Sequence, residues 1–294
     1  MPHQLKNDDV ELVMHLPHEH YGLARFDWTG KIVSVKYQGK YVTGTELADS
    51  STDTPCGRGF YNEFDINGPV GYAETTHGDW FHKIGIGLLQ KTNATYDFSK
   101  PYPIQPAAFE VIPGSDRVTL HCRAKAHNGY AYLLTKEIRL SENGFSIQYE
   151  LTNTGQKTII TSEYNHNFLA TNRDLIGSHY RLRFPFSLQP NRFEEKVDPE
   201  ALIHFTPQAV HFKGQPTQPF FFSNLSGSEQ VNAHWELENH KCKLGISETG
   251  SFQTTKVNLW GWGHVVSPEL FADLRIPPGQ TERWSRTYRI YELP

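Results

Sequence analysis

The 294-residue chain has little that would mark it for a membrane, a secretory route or nucleic acid. No apolar run approaches the roughly 18 residues that a spanning helix needs. The N-terminus, MPHQLKNDDVELVMHLPHEH, lacks the basic-then-apolar order of a secretory signal. Cysteine is scarce: Cys56, Cys122 and Cys242 are far apart and odd in number. That excludes a disulfide framework and a Cys-x-x-Cys metal knuckle, and the three read as reduced thiols of a cytoplasmic protein. There is no block of basic residues and the net charge is −4, so neither nucleic acid nor a membrane is an expected partner. Gly-x-Ser-x-Gly, His-Glu-x-x-His, phosphate-loop and dinucleotide fingerprints are all missing, and no cofactor is expected. Helical periodicity is nearly absent too, its best candidate being a turn or two around DPEAL, residues 198–202.

What is present is alternation with a period of two. FSIQYELTN sets Phe145, Ile147, Tyr149 and Leu151 against Ser146, Gln148, Glu150 and Thr152, the pattern of a strand with one buried face. RVTLHCRAKA alternates in the same way, and GYAYLLTKEIRL follows the turn-like HNG. SENG and NTGQ read as hairpin connections. GLARFDW, KIVSVKY and KYVTGTEL read as three short N-terminal strands, and TERWSRTYRIYEL as a closing strand after PPGQ. Aromatic residues, 13% of the chain, suit wide sheets packed face to face. No stretch reads as a linker and no repeat of solenoid or propeller period is found. The expectation is one all-β domain over residues 1–294, a large antiparallel β-sandwich.

Chemistry concentrates in a few places. TSEYNHNFLATN, residues 161–172, ends an apolar strand start in Glu163, His166 and two asparagines. Such an end is either a solvated loop or a strand delivering His166 into a site, where an imidazole can give and take a proton near neutrality. Glu269, in SPELF, stands between Pro268 and the apolar pair Leu270 and Phe271. A carboxylate held against apolar walls has its pKa raised into the range useful for a base, although a glutamate after proline is more commonly a surface residue. Just upstream, Trp260, Trp262 and His264 share one strand face with glycines between them, a ligand-facing arrangement or a packed one. GDWFHKIGIGLLQK holds His82 and Lys83, of which only one can enter a given cleft. CGRGFYNEFDINGPVGY offers Arg58, Asn62, Glu63 and Asp65 as groups able to hydrogen-bond a polyol. His18 and His20 have the spacing of a two-histidine chelate, but they read as solvated N-terminal histidines and no metal is expected. Glu163 with Glu269, or Glu63 with Asp65, has the residue types of a glycosidase's carboxylate pair.

Taken together these stretches resemble the aldose 1-epimerase (galactose mutarotase) family. EYNHNFL is similar to that family's His-Pro-Tyr-Phe segment, with Asn167 where the family has proline. SPELF, followed by a strand, PPGQ and RWSRTYRIY, resembles its C-terminal signature, and DWFHKIGIGLL occupies the place of its first histidine segment, with Lys83 after the histidine. The resemblance implies a β-supersandwich fold, His166 as general acid and Glu269 as general base in interconverting the anomers of a sugar. It implies His82 as a second substrate-contacting histidine, with Arg58 as a loose match to the substrate-binding arginine. Lys83, Asn62, Glu63 and His264 complete the expected substrate contacts in one cleft. The partner implied is a small-molecule sugar. Two other readings of the same fold are a carbohydrate-binding protein without catalysis and a relative of glycoside hydrolases or lyases.

Overall fold

The computed structural model describes residues 3–48 and 56–294. The alternation seen in the sequence becomes two ten-stranded antiparallel sheets and one small three-stranded sheet. The first sheet runs in the order His3–Lys6, Val10–His15, Lys31–Tyr37, Phe60–Phe64, Ile159–Asn167, Val265–Ile276, Val257–Trp262, Phe220–Phe222 and Lys196–Val197, with Lys40–Tyr41 added beside Lys31–Tyr37. At the centre of the second lie Leu244–Thr254, Thr281–Glu292 and Gly144–Asn153, flanked by Val231–Asn239 and Tyr132–Ser141. Trp80–Lys83, Gly87–Gln90 and Ile104–Pro106 form the small sheet. The fold is thus the large antiparallel sandwich that the period of two predicts.

Two local expectations fail. GLARFDW is not a strand: residues 21–30 are irregular and tied down by isolated backbone bonds such as Asp27 N–H to Asn62 O at 2.9 Å. Its apolar residues mimic a strand because Ala24, Phe26 and Trp28 are buried among Tyr61, Phe81 and Phe168, in a second cluster outside the sandwich interior. DPEAL forms only a turn, and the helical pieces among the described residues are three single 3₁₀ turns at 72–74, 171–173 and 190–192. No helix among these residues is long and apolar enough to cross a membrane.

The facing sheets enclose an apolar core that includes Phe60, Phe64, Leu120, Ile147, Trp235, Tyr288 and Ile290. Through its middle runs a chain of charged and amide groups. Arg286, fully buried, donates from Nη2 to Glu163 Oε2 at 2.7 Å and from Nη1 to Glu248. Glu163 also accepts from Trp284 Nε1 at 3.0 Å and from Asn62 Nδ2 at 2.8 Å. Glu248 accepts from Trp235 Nε1 at 2.8 Å and from Asn167 Nδ2 at 2.9 Å. Beyond Asn62, Lys136 bonds Asn62 Oδ1 and pairs with Asp27 at 3.2 Å. Two carboxylates around one guanidinium bind the strand Ile159–Asn167 of the first sheet to Leu244–Thr254 and Thr281–Glu292 of the second.

Removing one member of a buried ion cluster leaves charge with no water and no partner. Arg286→Met is therefore expected to lower the unfolding free energy by about 3–5 kcal/mol. Ile160→Thr, at a side chain 63% exposed on the same first-sheet strand, is expected to stay within about 0.5 kcal/mol of wild type. Urea unfolding followed by tryptophan fluorescence measures both.

Candidate active site

The strand Ile159–Asn167 has two faces, and its polar end serves both. Glu163, Asn165 and Asn167 point between the sheets, where they bond Arg286, Tyr288 and Glu248 respectively. Tyr164 and His166 point the other way, and on that face the covering changes along the strand. Ile160 is exposed, Ser162 half-buried, Tyr164 and His166 buried. What covers them is the irregular segment around Arg25 and the rim of a cleft of about 530 Å³, a volume within the range of small-molecule sites.

Register brings the cleft's floor together. His166 comes from Ile159–Asn167 and Glu269 from Val265–Ile276, its neighbour in the sheet. Asn258 lies opposite Glu269 and Trp260 opposite Ser267 on the next strand, both lining the cleft. His166 Nε2 is 3.3 Å from Glu269 Oε1. The imidazole stacks on Phe168, ring centroids 4.0 Å apart and planes 9° off parallel, and meets the edge of Trp260 at 5.4 Å. Glu269 Oε1 also lies 3.5 Å from Ser267 Oγ, which in turn accepts the Asn167 backbone N–H at 3.0 Å. A ring fixed by stacking and a carboxyl held by a hydroxyl leave little freedom in the acid–base geometry.

Burial sets their protonation. It pushes the Glu269 carboxyl up to about 8, with Arg25 opposing and Glu63 reinforcing the shift. It holds His166 well below the ordinary imidazole value, and the positive charge of Arg25 adds to that. Near neutrality the pair therefore carries one proton between two neighbouring atoms. With that proton on the carboxyl, Glu269 donates to Nε2 and the ring's own hydrogen sits on Nδ1. No group among the described residues hydrogen-bonds that Nδ1.

Behind the pair, Arg25 organises the carboxylates that would otherwise crowd it. Its Nη1 donates to Glu46 at 3.0 and 3.2 Å and its Nε to Glu63 at 3.3 Å. Its guanidinium carbon lies 4.4 Å from the Phe26 ring centre and 4.7 Å from that of Phe98. Tyr164 donates to Glu63 at 2.7 Å and stacks on Phe271, over which Lys256 Nζ lies at 4.3 Å. Nothing local in the sequence singles out Arg25, Glu46 or Lys256. Tyr164 alone has a signal, since it shares the face of His166 by alternation.

Of the residues expected in one cleft, the structure brings His166 and Glu269 together and distributes the rest. Glu63 is fully buried behind Tyr164 and Arg25, an anchor under the floor rather than a lining residue. Asn62, its neighbour on the same strand, faces the opposite way and belongs to the inter-sheet chain. Lys83 is also buried, reaching the carbonyls of Phe64 and Asp65 and lying 3.5 Å from Glu63 Oε1. His82 points elsewhere: its Nε2 is 3.4 Å from His127 O, its ring is packed between Tyr130 and Tyr132, and burial lowers its pKa to about 4. Arg58 and His264 line a separate pocket. Sequence spacing cannot show this last separation. Arg58 is paired with Thr45 by an isolated bridge and His264 lies beyond the end of its strand, both on the far side of Glu46. His18 packs edge-on against Trp28 and Phe109, while His20 lies against His15. Among the described residues no group of three or more His, Cys, Asp or Glu is placed to hold a metal.

No protein-family model matches the chain, and no curated protein matches it in sequence. Solved structures do match in shape. The Slr1438 protein of Synechocystis sp. PCC 6803 superposes with a TM-score of 0.63 at 13% identity, over 99% of this chain and 96% of that one. A galactose mutarotase related enzyme from Lactobacillus acidophilus gives 0.58 at 11% identity, covering 100% of both chains. A GalM/aldose epimerase homologue from C. elegans gives 0.55 at 13% identity, covering 100% and 99%. The architecture, end to end, is the galactose mutarotase-like β-sandwich.

Proposed function

We propose that the cleft interconverts the α and β anomers of an uncharged aldose by acid–base ring opening. The observation that carries this reading is the 3.3 Å contact between His166 Nε2 and Glu269 Oε1 at the cleft floor. The ring oxygen and the anomeric hydroxyl of a pyranose are bonded to one carbon. An acid and a base that touch each other are spaced to address both.

With the shared proton on the imidazole, Glu269 takes the proton of the anomeric hydroxyl while His166 protonates the ring oxygen. The bond from C1 to the ring oxygen breaks and C1 becomes a carbonyl. The pair is now in its other form, protonated carboxyl and neutral imidazole, with its proton count unchanged. Rotation about C1–C2 presents the other carbonyl face. Reclosure returns one proton to the carbonyl oxygen from Glu269 and one to His166 from the chain hydroxyl. Raising Glu269 and lowering His166 reverses their ordinary order, so the resting proton lies on the carboxyl and the carboxylate–imidazolium form is the one reached during the exchange. Trp260, half-buried on the lining, offers a ring for the sugar face, and Asn258 offers an amide for its hydroxyls.

The lining also speaks to charge. Arg25 is neutralised by Glu46 and Glu63, and Glu194, Glu195 and Lys256 also line the cleft. A cleft with this balance favours a neutral polyol over a phosphorylated or carboxylated sugar. The paired-carboxylate reading loses support, because Glu163 faces the inter-sheet core and Glu63 is fully buried.

Two outcomes are expected. Glu269→Gln and His166→Asn should each slow anomer exchange by about 10²-fold or more, with sugar binding retained. The double variant should lose less than the product of the single losses, since neither group works without the other. Polarimetry or NMR exchange on freshly dissolved glucose and galactose measures this. A wild-type protein that binds an aldose without accelerating exchange would mark a binding protein instead. The pH profile, corrected for the spontaneous reaction, should fall as pH rises through about 8, where the pair loses its one proton. Its acid limb should lie well below the ordinary imidazole value, because a second proton must enter a site that disfavours the imidazolium.

A further inference from the structure

On the far side of Glu46 lies a second pocket, of about 630 Å³, that the proposed reaction does not use. Arg58, Arg173 and His264 line it together with Ser34, Tyr41 and Thr43, and no Asp or Glu is among its described lining residues. Neither guanidinium has an acidic partner among the described residues. Arg173 lies with its guanidinium carbon 3.8 Å from the centre of the Tyr41 ring, and it is presented there by strained backbone. Asn172 and Arg173 both adopt left-handed conformations, φ 56° and 58°, which side-chain-bearing residues occupy only when their surroundings hold them there. Thr43 Oγ1 accepts the Val35 N–H at 3.1 Å, which leaves its own hydroxyl hydrogen as a donor.

The two pockets are neighbours but do not merge. Along the chain from His166, Phe168 is fully buried between the cleft floor and Ala170, which lines the second pocket. Glu46 also stands between them. Its carboxylate holds Arg25 on the cleft side at 3.0 Å, and its carbonyl meets His264 Nε2 at 3.1 Å on the other.

We infer that this pocket binds a phosphate monoester, its dianionic head between Arg58 and Arg173 and its organic part in the remaining volume. Guanidinium forks match tetrahedral oxyanions through charge-assisted, bidentate hydrogen bonds. Two of them, with no acid among the described lining residues, suit a dianion better than a carboxylate, and the pocket is larger than a bare ion requires. The acidic cleft and this basic pocket then divide the molecule's ligands by charge, an uncharged sugar on one side of Glu46 and an anion on the other.

The test is a ³¹P NMR titration at low salt with glycerol phosphate and, separately, inorganic phosphate, on wild type, Arg58→Gln and Arg173→Gln. Saturable glycerol phosphate binding is expected in wild type, weakened about tenfold or more by either substitution. Inorganic phosphate should compete, and more weakly than the ester. Arg173 is exposed and Arg58 half-buried, so the variants should melt with wild type. No saturable binding, variants that bind as wild type does, or inorganic phosphate that fails to compete would each overturn the inference. Because the readout is binding, its outcome is independent of whether the cleft catalyses anomer exchange.

Discussion

The structure depends on one guanidinium. Arg286, inaccessible to water, joins Glu163 of the first sheet to Glu248 of the second. Such a cluster contributes little net stability over a well-packed apolar core. What it contributes is register. A strand that slipped by one residue would turn Glu163 away from Arg286 and His166 into the core. The hydrogen bonds of Asn165 to Tyr288 and of Asn167 to Glu248 repeat the same constraint two and four residues on.

The cleft follows from that constraint. With odd-numbered residues pinned between the sheets, Tyr164 and His166 must project outward, and the neighbouring strand places Glu269 beside the imidazole. Two kinds of wall then dry the pair. Phe168 and Trp260 cover the ring, and Arg25, clasped by Glu46 and Glu63, closes one side with charge already balanced. Desolvation moves the carboxyl up and the imidazole down. On the proposed reading the pair thereby keeps one proton near neutrality, resting on the carboxyl, for exchange with the sugar. Glu46 links this arrangement to the basic pocket, its carboxylate bonding Arg25 and its carbonyl meeting His264.

How much of this was legible in the sequence depended on range. Alternation is local, so the sheets were readable from segments such as Phe145–Asn153. Burial by distant chain is not local, and GLARFDW was mistaken for a strand because apolar residues enclosed on every side can mimic a run buried in a sheet. Arg25 stayed hidden for the same reason: its partners, Glu46 and Glu63, lie 21 and 38 residues away. His82 is expected in the cleft from the family resemblance and His264 from the strand face it shares with Trp260 and Trp262. The first is buried against Tyr130 and Tyr132, and the second is turned across the Glu46 partition. At 11–13% identity to solved structures of the same fold, individual contacts outside the strand pairings are free to differ.

The most direct test of the central claim, that His166 and Glu269 jointly face the anomeric centre of a sugar, is a crystal structure of the protein soaked with neutral monosaccharides. The account predicts a pyranose with one face against Trp260 and its ring oxygen and anomeric oxygen as the atoms nearest His166 and Glu269. A sugar seated with C1 turned away from that pair, or bound only outside the cleft, would contradict it.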